Sequence, residues 1–444
     1  MAGLLLCFAV FLASVITCLC LNWTLLLAVW VGIAAFFLLG LRRGQAPRKM
    51  ASDAWAQGRK MCVVIVIYLL IGAITALWRS SGTIAFFIYY GLQIIQPKLF
   101  LLVSFLLTSF ISYALGTSFG VIGTVGVILM ALARSGGVSA AITAGTIIAG
   151  AYFGDRCSPA SSSASLVAAA TGTKLYDNLH LMHRTGWLPY LLTLAVYGVL
   201  SWTNPLSALD AATLEELSQC FALPLWTVIP ALLIILLPLC KVSIRWTMAA
   251  SAAAALTVAV LVQGVPLPTA LRDAVLGYVP APGGLHDVLS GGGVVSMLTA
   301  TVLSISAGLY AGLLDGLGAL NGVRRWAQHI AVRAGLFPAC AAVCVLSGMV
   351  FCNQSTGAVV STQLLRDTYR DMGDGEQELA IDIENSGIVL SPLIPWNISV
   401  SIPLHMLGVT AAAIPFAVLL YMIPLCYAAT KKRLYQPRER KQTL

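Results

Sequence analysis

Long apolar runs alternate with short polar segments along nearly the whole chain, and this pattern predicts a bundle of membrane-spanning helices. A spanning helix needs about 20 mostly apolar residues. Ten runs are close to that length: 3–20, 22–41, 61–78, 98–115, 186–203, 222–240, 243–263, 296–314, 336–351 and 408–428. The 444 residues are 59% hydrophobic and only 10% charged. A soluble domain carries about 25% charged residues. We therefore expect an all-α, polytopic protein whose surface is mostly covered by lipid.

Basic residues are concentrated in two segments, and they predict the orientation in the membrane. One follows the second apolar run and reads LRRGQAPRKMASDAWAQGRK, and the other is the C-terminal KKRLYQPRERKQTL. Basic loops favour the cytoplasmic side. We expect a multi-pass protein of the cell membrane with both termini in the cytoplasm. Because these segments account for the formal charge of +9, no nucleic-acid partner is expected.

Polar, glycine-containing breaks interrupt several apolar stretches. They read RSSGTIAFFIYYGLQIIQ at 79–96, GTSFGVIGT at 116–124, LSGGGVV at 289–295 and CNQSTG at 352–357. Non-helical backbone at membrane depth is tolerated only where it is buried in protein or lines a cavity. We therefore expect re-entrant or interrupted helices at these positions.

Two of the breaks are followed by the same order of parts. The Gly116–Ser118 break precedes a Ser-Pro loop at Ser158, and the Asn353–Ser355 break precedes another at Ser391, at a similar distance. Paired interrupted segments are typical of transporters built from inverted repeats, which bind their substrate where the breaks meet. The alternative is that Gly, Ser and Pro merely assist close helix packing.

This order predicts five parts along the chain. They are N-terminal helices with a basic cytoplasmic loop (1–60), a first repeat (61–204), a linker with scaffold helices (205–265), a second repeat (266–430) and a basic cytoplasmic tail (431–444).

Four segments carry a resemblance to a known family. They are IYYGLQII, GTSFGVIGTVGVILMALA, ITAGTIIAGAYFGDRCSP and ENSGIVLSPLIPWN. Through these segments the chain resembles the NhaC-type Na+/H+ antiporters of the ion transporter superfamily over about residues 80–430. The resemblance implies a secondary transporter with two pseudo-symmetric halves. Similarity to other superfamily members implies an elevator-type transport domain that moves on a dimeric scaffold, hence a homodimer.

The chain departs from the family pattern at three positions. Ser162, Asn353 and Asn385 stand where the family usually has acidic residues. A dehydrated Na+ favours oxygen ligands that include a carboxylate, so the loss of three carboxylates weakens the Na+/H+ interpretation. Asp155 and Glu384 remain acidic near the breaks, and we expect them to couple transport to an ion or proton. The alternative for Asp155 is a structural pair with Arg156.

Neutral hydroxyl and amide side chains surround the same breaks. Together with half-helix N-termini, which favour negative charge, they predict a site for a carboxylate-bearing solute. The candidates are Thr117, Ser118, Ser158, Ser161, Ser162, Asn353, Gln354, Ser355, Asn385, Ser391 and Asn397. The alternative for the serine run is a turn packed by small residues.

These observations predict a secondary active transporter that moves a small organic solute, an amino acid or a carboxylate, coupled to Na+ or H+. The alternative is a Na+/H+ antiporter with a reduced set of acidic ligands. A channel is disfavoured because no repeated ring of charges is present. No phosphate loop or catalytic constellation occurs, so we expect no enzyme and no cofactor, with Na+ only as a coupling ion.

Overall fold

Apolar segments fold into α-helices throughout the part of the chain that the computed structural model describes. That part comprises residues 2–21, 23–60, 62–94, 96–159, 161–207, 211–240, 242–280, 289–316, 321–373 and 375–434. The predicted tail 431–444 therefore lies mostly outside the described residues.

The helices up to residue 203 are α1 (Ala2–Cys20), α2 (Leu25–Arg42), α3 (Pro47–Lys60), α4 (Cys62–Ser80), α5 (Thr83–Ile94), α6 (Phe100–Leu115), α7 (Ser118–Val121), α8 (Val127–Ser135), α9 (Ala140–Cys157), α10 (Ser162–Thr171) and α11 (Leu175–Thr203). They continue as α12 (Ala211–Cys220), α13 (Ile229–Leu239), α14 (Ile244–Leu261), α15 (Leu267–Leu276), α16 (Leu298–Gly316), α17 (Asn321–Ala334), α18 (Leu336–Phe351), α19 (Gln354–Asp371), α20 (Glu376–Glu384), α21 (Gly387–Leu390), α22 (Ile398–Leu407) and α23 (Val418–Leu434). The all-α prediction is confirmed.

Each of the ten predicted spans contains an α-helix over at least half of its length. Over the described residues, three helices are long and apolar enough to cross a membrane by length and composition: Pro97–Leu115, Ser118–Ser135 and Val294–Leu314. Two bent helix pairs also pass, which raises the number to five if each pair is one span. Most of the remaining predicted spans contain shorter apolar helices of 10–17 residues.

The break predicted at 79–96 is a sharp bend. Tyr68–Ser80 and Thr83–Tyr90 meet at 62° around the turn at Gly82, whose φ is +74°. The break at 289–295 is a turn that precedes α16. Gly292 has a φ of +77° there, and a Cβ at this position would come within 2.5 Å of the Ala76 backbone nitrogen in α4. Only glycine allows both this conformation and this close approach.

The basic segment expected as a loop contains a helix. α3 covers most of it and packs against α16, where a Cβ on Gly312 would lie 2.4 Å from the Asp53 carbonyl oxygen. The segment forms a helix because its apolar residues recur on one face while its basic residues lie on the other. The basic charge of this segment predicted its side of the membrane but gave no indication that it packs against α16.

The two Ser-Pro-linked breaks have nearly the same backbone conformation. α6 ends in the left-handed Gly116 (φ 67°, ψ 25°), and α18, also 16 residues long, ends in the left-handed Cys352 (φ 53°, ψ 17°). The next residues, Thr117 (φ −144°, ψ 121°) and Asn353 (φ −144°, ψ 126°), are the N-caps of α7 and α19. Similar breaks therefore recur at the two places that the sequence pairs.

α6 and α18 approach these breaks from opposite ends of α11. The backbone nitrogen of Leu101, at the start of α6, donates a hydrogen bond to Ser201 Oγ, near the C-terminal end of α11, at 3.1 Å. Phe337, at the start of α18, packs with Leu179 and Met182 in the N-terminal part of α11. The two helices therefore run towards the middle of the bundle from opposite sides.

Candidate functional site

A buried carboxylate lies where elements from both breaks meet. Asp155, near the end of α9, is 4% exposed. Its Oδ2 accepts hydrogen bonds from Ser163 Oγ at 3.0 Å and from Gln354 Nε2 at 3.3 Å. Ser163 lies in the first turn of α10, and Gln354 is the first residue of α19. Gln354 Nε2 also donates to the Ile388 carbonyl at 3.2 Å. One carboxylate thus connects the start of two half-helices.

The side chain of Arg156 points to a different set of partners. Its Nη2 donates to Asn385 Oδ1 at 2.6 Å, to Thr185 Oγ1 at 3.0 Å and to the Met182 carbonyl at 3.1 Å. Arg156 and Asn385 are fully buried. The guanidinium is therefore fixed between α9, α11 and the end of α20 by neutral oxygen acceptors. The structural pair of Asp155 with Arg156, which was the alternative in the sequence analysis, is not among these hydrogen bonds.

Glu384 is a second buried acid beside this arginine. Its side chain is fully buried, and neither carboxylate oxygen has a hydrogen-bond partner among the described residues. Arg156 and Asp155 both act on it electrostatically. A charged carboxylate without donors is costly to bury. Glu384 is therefore suited to carry a proton or to receive a cation.

Four of the candidate solute-binding residues cap half-helices. The Thr117 hydroxyl accepts from Gly120 N, the Ser161 hydroxyl from Ala164 N, the Asn353 amide oxygen from Thr356 N, and the Asn397 amide oxygen from Ser399 N. Capping satisfies backbone donors that a helix start leaves open. These four side chains therefore fix the backbone conformation where each helix starts.

The two Ser-Pro loops also stabilise the helices that end at the breaks. Ser158 Oγ donates to the Tyr113 carbonyl in the last turn of α6 at 2.5 Å. Asn397 Nδ2 donates to the Gly348 carbonyl in the last turn of α18 at 2.9 Å. The Gly348 carbonyl also accepts from Cys352 N at 3.1 Å, so Asn397 gives it a second donor. Each Ser-Pro loop is thus hydrogen-bonded to the helix that ends at the corresponding break.

The remaining candidates are distributed unevenly around this centre. Ser118 is buried and adjoins Tyr152, and Ser391 is buried with its hydroxyl on the Gly387 carbonyl at 2.6 Å. Ser162 and Ser355 are exposed. The geometry brings Asp155, Gln354 and Asn385 with Glu384 into one region, whereas no described contact joins Ser162 or Ser355 to these residues.

Two contacting residues, Thr185 and Tyr152, were missed by sequence reasoning. Thr185 Oγ1 accepts from Arg156, and the Tyr152 hydroxyl donates to the Ser399 carbonyl. Ser163 belonged to the serine run, but nothing separated it from its neighbours. Thr185 and Tyr152 lie in apolar helices, and their only signal is a polar group at membrane depth.

The all-helical fold with several apolar helices is compatible with a polytopic membrane protein, and the comparisons with known proteins specify its family. The model of the Na+/H+ antiporter family matches residues 2–202 and 150–430. A Na(+)/H(+) antiporter of Haemophilus influenzae, named as uncharacterized, is 30% identical over 381 residues, covering 81% of this chain and 80% of its own. The chain belongs to the Na+/H+ antiporter family.

Two further relatives differ in the solutes that their names give. The malate-2H(+)/Na(+)-lactate antiporter of Bacillus subtilis is 26% identical over 420 residues, covering 92% of this chain and 90% of its own. The Na(+)/H(+) antiporter NhaC of Alkalihalophilus pseudofirmus is 26% identical over 412 residues, covering 90% and 87%. The resemblance to NhaC-type proteins is confirmed. The protein is a secondary antiporter of a membrane, in a family of transporters rather than enzymes, whose members act on ions or organic solutes.

Proposed function

We propose that the protein exchanges a small organic solute, an amino acid or a carboxylate, for Na+ or H+, and that Asp155 carries the coupling ion or proton. The observation that carries this proposal is the contact of Asp155 with Ser163 and Gln354, at the start of the half-helices α10 and α19. A carboxylate and a hydroxyl are the hard oxygen ligands that Na+ favours.

Coupling follows from the cost of burying charge. An ionised, empty Asp155 is costly at membrane depth, whereas a proton or a Na+ removes that cost. Because Gln354 spans the two breaks, a change of charge at Asp155 alters a contact between the parts that contain them. Occupancy of the ion site therefore changes the relative stability of two arrangements of α9 and α19. A transporter that alternates between two states requires such a change.

The paired breaks support a repeat architecture for the moving parts. We infer that residues 61–204 and 266–430 are inverted repeats joined by a linker at 205–265, since similar breaks are reached from opposite ends of α11. We further propose an elevator-type motion on a homodimeric scaffold, with both termini cytoplasmic and Na+ as the coupling ion.

The neutral residues at the family's acidic positions support an organic solute. Asn385 accepts a hydrogen bond from Arg156, and Asn353 caps α19. Asp155 and Glu384 are the acids whose interactions are seen at this centre among the described residues, and such a site repels a carboxylate less than one with three additional acids would.

The test is coupled uptake by the full-length protein in proteoliposomes. Under an imposed Na+ or pH gradient the wild type should accumulate labelled malate, lactate or a zwitterionic amino acid. Asp155→Asn should lose the response to the gradient but retain exchange of solute for solute. Asp177→Asn, an exposed acid at the start of α11, is the matched control. Gradient-driven uptake by Asp155→Asn at the wild-type level would remove Asp155 from the coupling site.

A further inference from the structure

A polar cavity lies away from Asp155. None of the site residues described above lines it. The cavity has a volume of about 280 Å³ and lies among the ends of α4, α8 and α22 and the glycine turn before α16. Its lining includes Thr75, Arg79, Arg134, Ser290, Ser296 and His405. None of the described residues that line it is acidic, although two are arginines.

Arg79 is the more deeply buried of the two arginines. Its residue is 7% exposed, and its Nη1 donates to the Thr75 carbonyl at 2.6 Å. Its Nε is buried and has no partner among the described residues. A guanidinium has five N–H donors and stays charged in proteins. Arg79 thus keeps a positive charge in the interior with donor capacity that the chain leaves unused.

Arg134 adds a second positive charge to the same cavity. Its Nη2 donates to the Leu407 carbonyl at 2.8 Å and to the Gly408 carbonyl at 3.0 Å, at the end of α22. The two arginines are close enough to repel each other electrostatically. Two like charges in a partly desolvated space are unfavourable unless a negative charge joins them.

The glycine turn supplies a hydroxyl on the other wall. Ser290 Oγ is buried and has no partner among the described residues. The turn is held in place because Gly293 N donates to the Gly72 carbonyl of α4 at 2.7 Å. An unused hydroxyl therefore faces the same cavity as an unused guanidinium N–H, and both are hydrogen-bond donors.

We propose that this cavity binds the carboxylate group of a small organic anion, with Arg79 and Arg134 as its counter-charges and Ser290 as a further donor. Guanidinium groups match the geometry of carboxylates and bind them through paired N–H donors. The volume of about 280 Å³ is just below the range for ligand pockets, roughly 300–1,000 Å³, which suits a small solute. The site does not depend on Asp155 and goes beyond the proposed ion coupling.

Ligand-induced stabilisation tests the site without transport. Full-length protein in neutral detergent is heated with increasing malate or lactate at constant ionic strength, because a ligand that binds the folded state raises its melting temperature. We expect saturable stabilisation by both carboxylates and none by lactamide, the uncharged amide of lactate. Arg79→Gln and Arg134→Gln should weaken the apparent affinity about tenfold or more, as for a lost charge-assisted hydrogen bond. Arg325→Gln, an exposed arginine on α17, should leave it unchanged.

A gentler variant keeps the proposal testable if the arginine variants fail to fold. Ser290→Ala changes no charge and should weaken carboxylate binding about three- to tenfold, the loss of a neutral hydrogen bond. Asp155→Asn should retain the stabilisation, which distinguishes failure of this site from failure of the ion site. Equal stabilisation of wild type, Ser290→Ala and both arginine variants, or none in the wild type, would overturn the proposal.

A lipid phosphate could bind the same two arginines. A further experiment therefore distinguishes a lipid from a soluble carboxylate as the ligand. The protein is reconstituted in nanodiscs of neutral lipid with or without phosphatidylglycerol. If malate stabilises the protein in both, in an Arg79-dependent manner, the solute occupies the cavity. If phosphatidylglycerol alone stabilises it through Arg79 and malate does not, the site belongs to a lipid and the proposal is wrong.

Discussion

Arg156 Nη2 and Asn385 Oδ1 are 2.6 Å apart, and this hydrogen bond joins the end of α9 to the end of α20. Both residues are fully buried. The resemblance led us to expect an acidic residue at this position. Asn385 binds the arginine through an amide oxygen, so it does not cancel the positive charge of Arg156.

Restoring the acid should change the preference of the centre. Asn385→Asp should weaken binding of an anionic solute and strengthen binding of Na+, because one added charge in this region is worth about 1 to 3 kcal/mol at an effective dielectric near 20. The measurement is malate exchange in proteoliposomes together with the melting temperature of the purified protein against Na+, because malate bound between Arg79 and Arg134 would stabilise the variant as well. Gln219→Glu, an exposed amide on α12, controls for the net charge. Unchanged responses to both ligands in Asn385→Asp would show that this residue does not set the preference.

Asn353 should respond to substitution in a different way. Its amide oxygen caps α19 on Thr356 N at 3.1 Å. Asn353→Ala should lower stability by about 1 kcal/mol, the usual effect of losing an N-cap. Asn353→Asp should keep the cap and fold normally, since a negative charge is favourable at a helix start. Thermal unfolding of the two variants decides the point, and equal losses in both would contradict a capping role.

Gln354 should control how tightly Asp155 holds a proton. Its Nε2 donates to Asp155 Oδ2 at 3.3 Å, and a donor to a carboxylate favours the charged form. In Gln354→Ala the proton is held more tightly, so the pH dependence of solute exchange should move to higher pH. A loss of about 1.5 to 3 kcal/mol corresponds to about one to two pH units.

Two controls make this pH profile specific. Gln377→Ala, at an exposed position of α20, should leave the profile of the wild type in place. Adding Gln354→Ala to Asp155→Asn should cause no further shift, since the carboxylate is already absent. A shift of the same size in the double variant would mean that Gln354 acts on another group.

Much of the helical layout is readable from the chain, because apolar length and glycine-bearing breaks are local properties. The run at 336–351 coincides with α18, and the breaks at 116 and 352 end helices as expected. The contacts within the site are not readable in this way. Arg156 and Asn385 are far apart in sequence, and only the packing of α9 against α11 and α20 brings them together.

Other misses have an identifiable cause. Arg79 and Arg134 each lie at the end of an apolar run just before a glycine turn, where an arginine usually marks the membrane interface. Their burial around one cavity depends on the bend after α4 and on the close approach of Gly292. The packing of α3 was missed for a similar reason. Its basic charge predicts a side of the membrane but does not indicate the helix that it packs against.

A structural cluster outside the site gives a prediction for stability. Asp382 is fully buried and accepts from Tyr369 OH at 2.6 Å, Tyr427 OH at 2.8 Å and Lys431 Nζ at 2.5 Å. Lys431→Met removes the cation and leaves a buried carboxylate uncompensated, which should destabilise the protein by about 3–5 kcal/mol. Thermal unfolding measures the loss.

The partner substitution should restore part of this stability. Adding Asp382→Asn to Lys431→Met removes the unpaired charge, so the double variant should unfold at a higher temperature than Lys431→Met alone. Lys174→Met, at an exposed lysine, serves as the control. No recovery in the double variant would mean that Lys431 stabilises the fold through contacts other than this charge pair.

The central claim is that this antiporter moves an organic solute. Wild-type protein in proteoliposomes should therefore be given a Na+ gradient while internal pH and the uptake of labelled malate, lactate and zwitterionic amino acids are recorded together. We predict accumulation of at least one of these solutes, with little Na+-driven proton movement in their absence, because Ser162, Asn353 and Asn385 are neutral at positions where the resemblance led us to expect acids. Robust Na+/H+ exchange without any solute, and no uptake of any of them, would contradict it and leave a Na+/H+ antiporter with fewer acidic ligands.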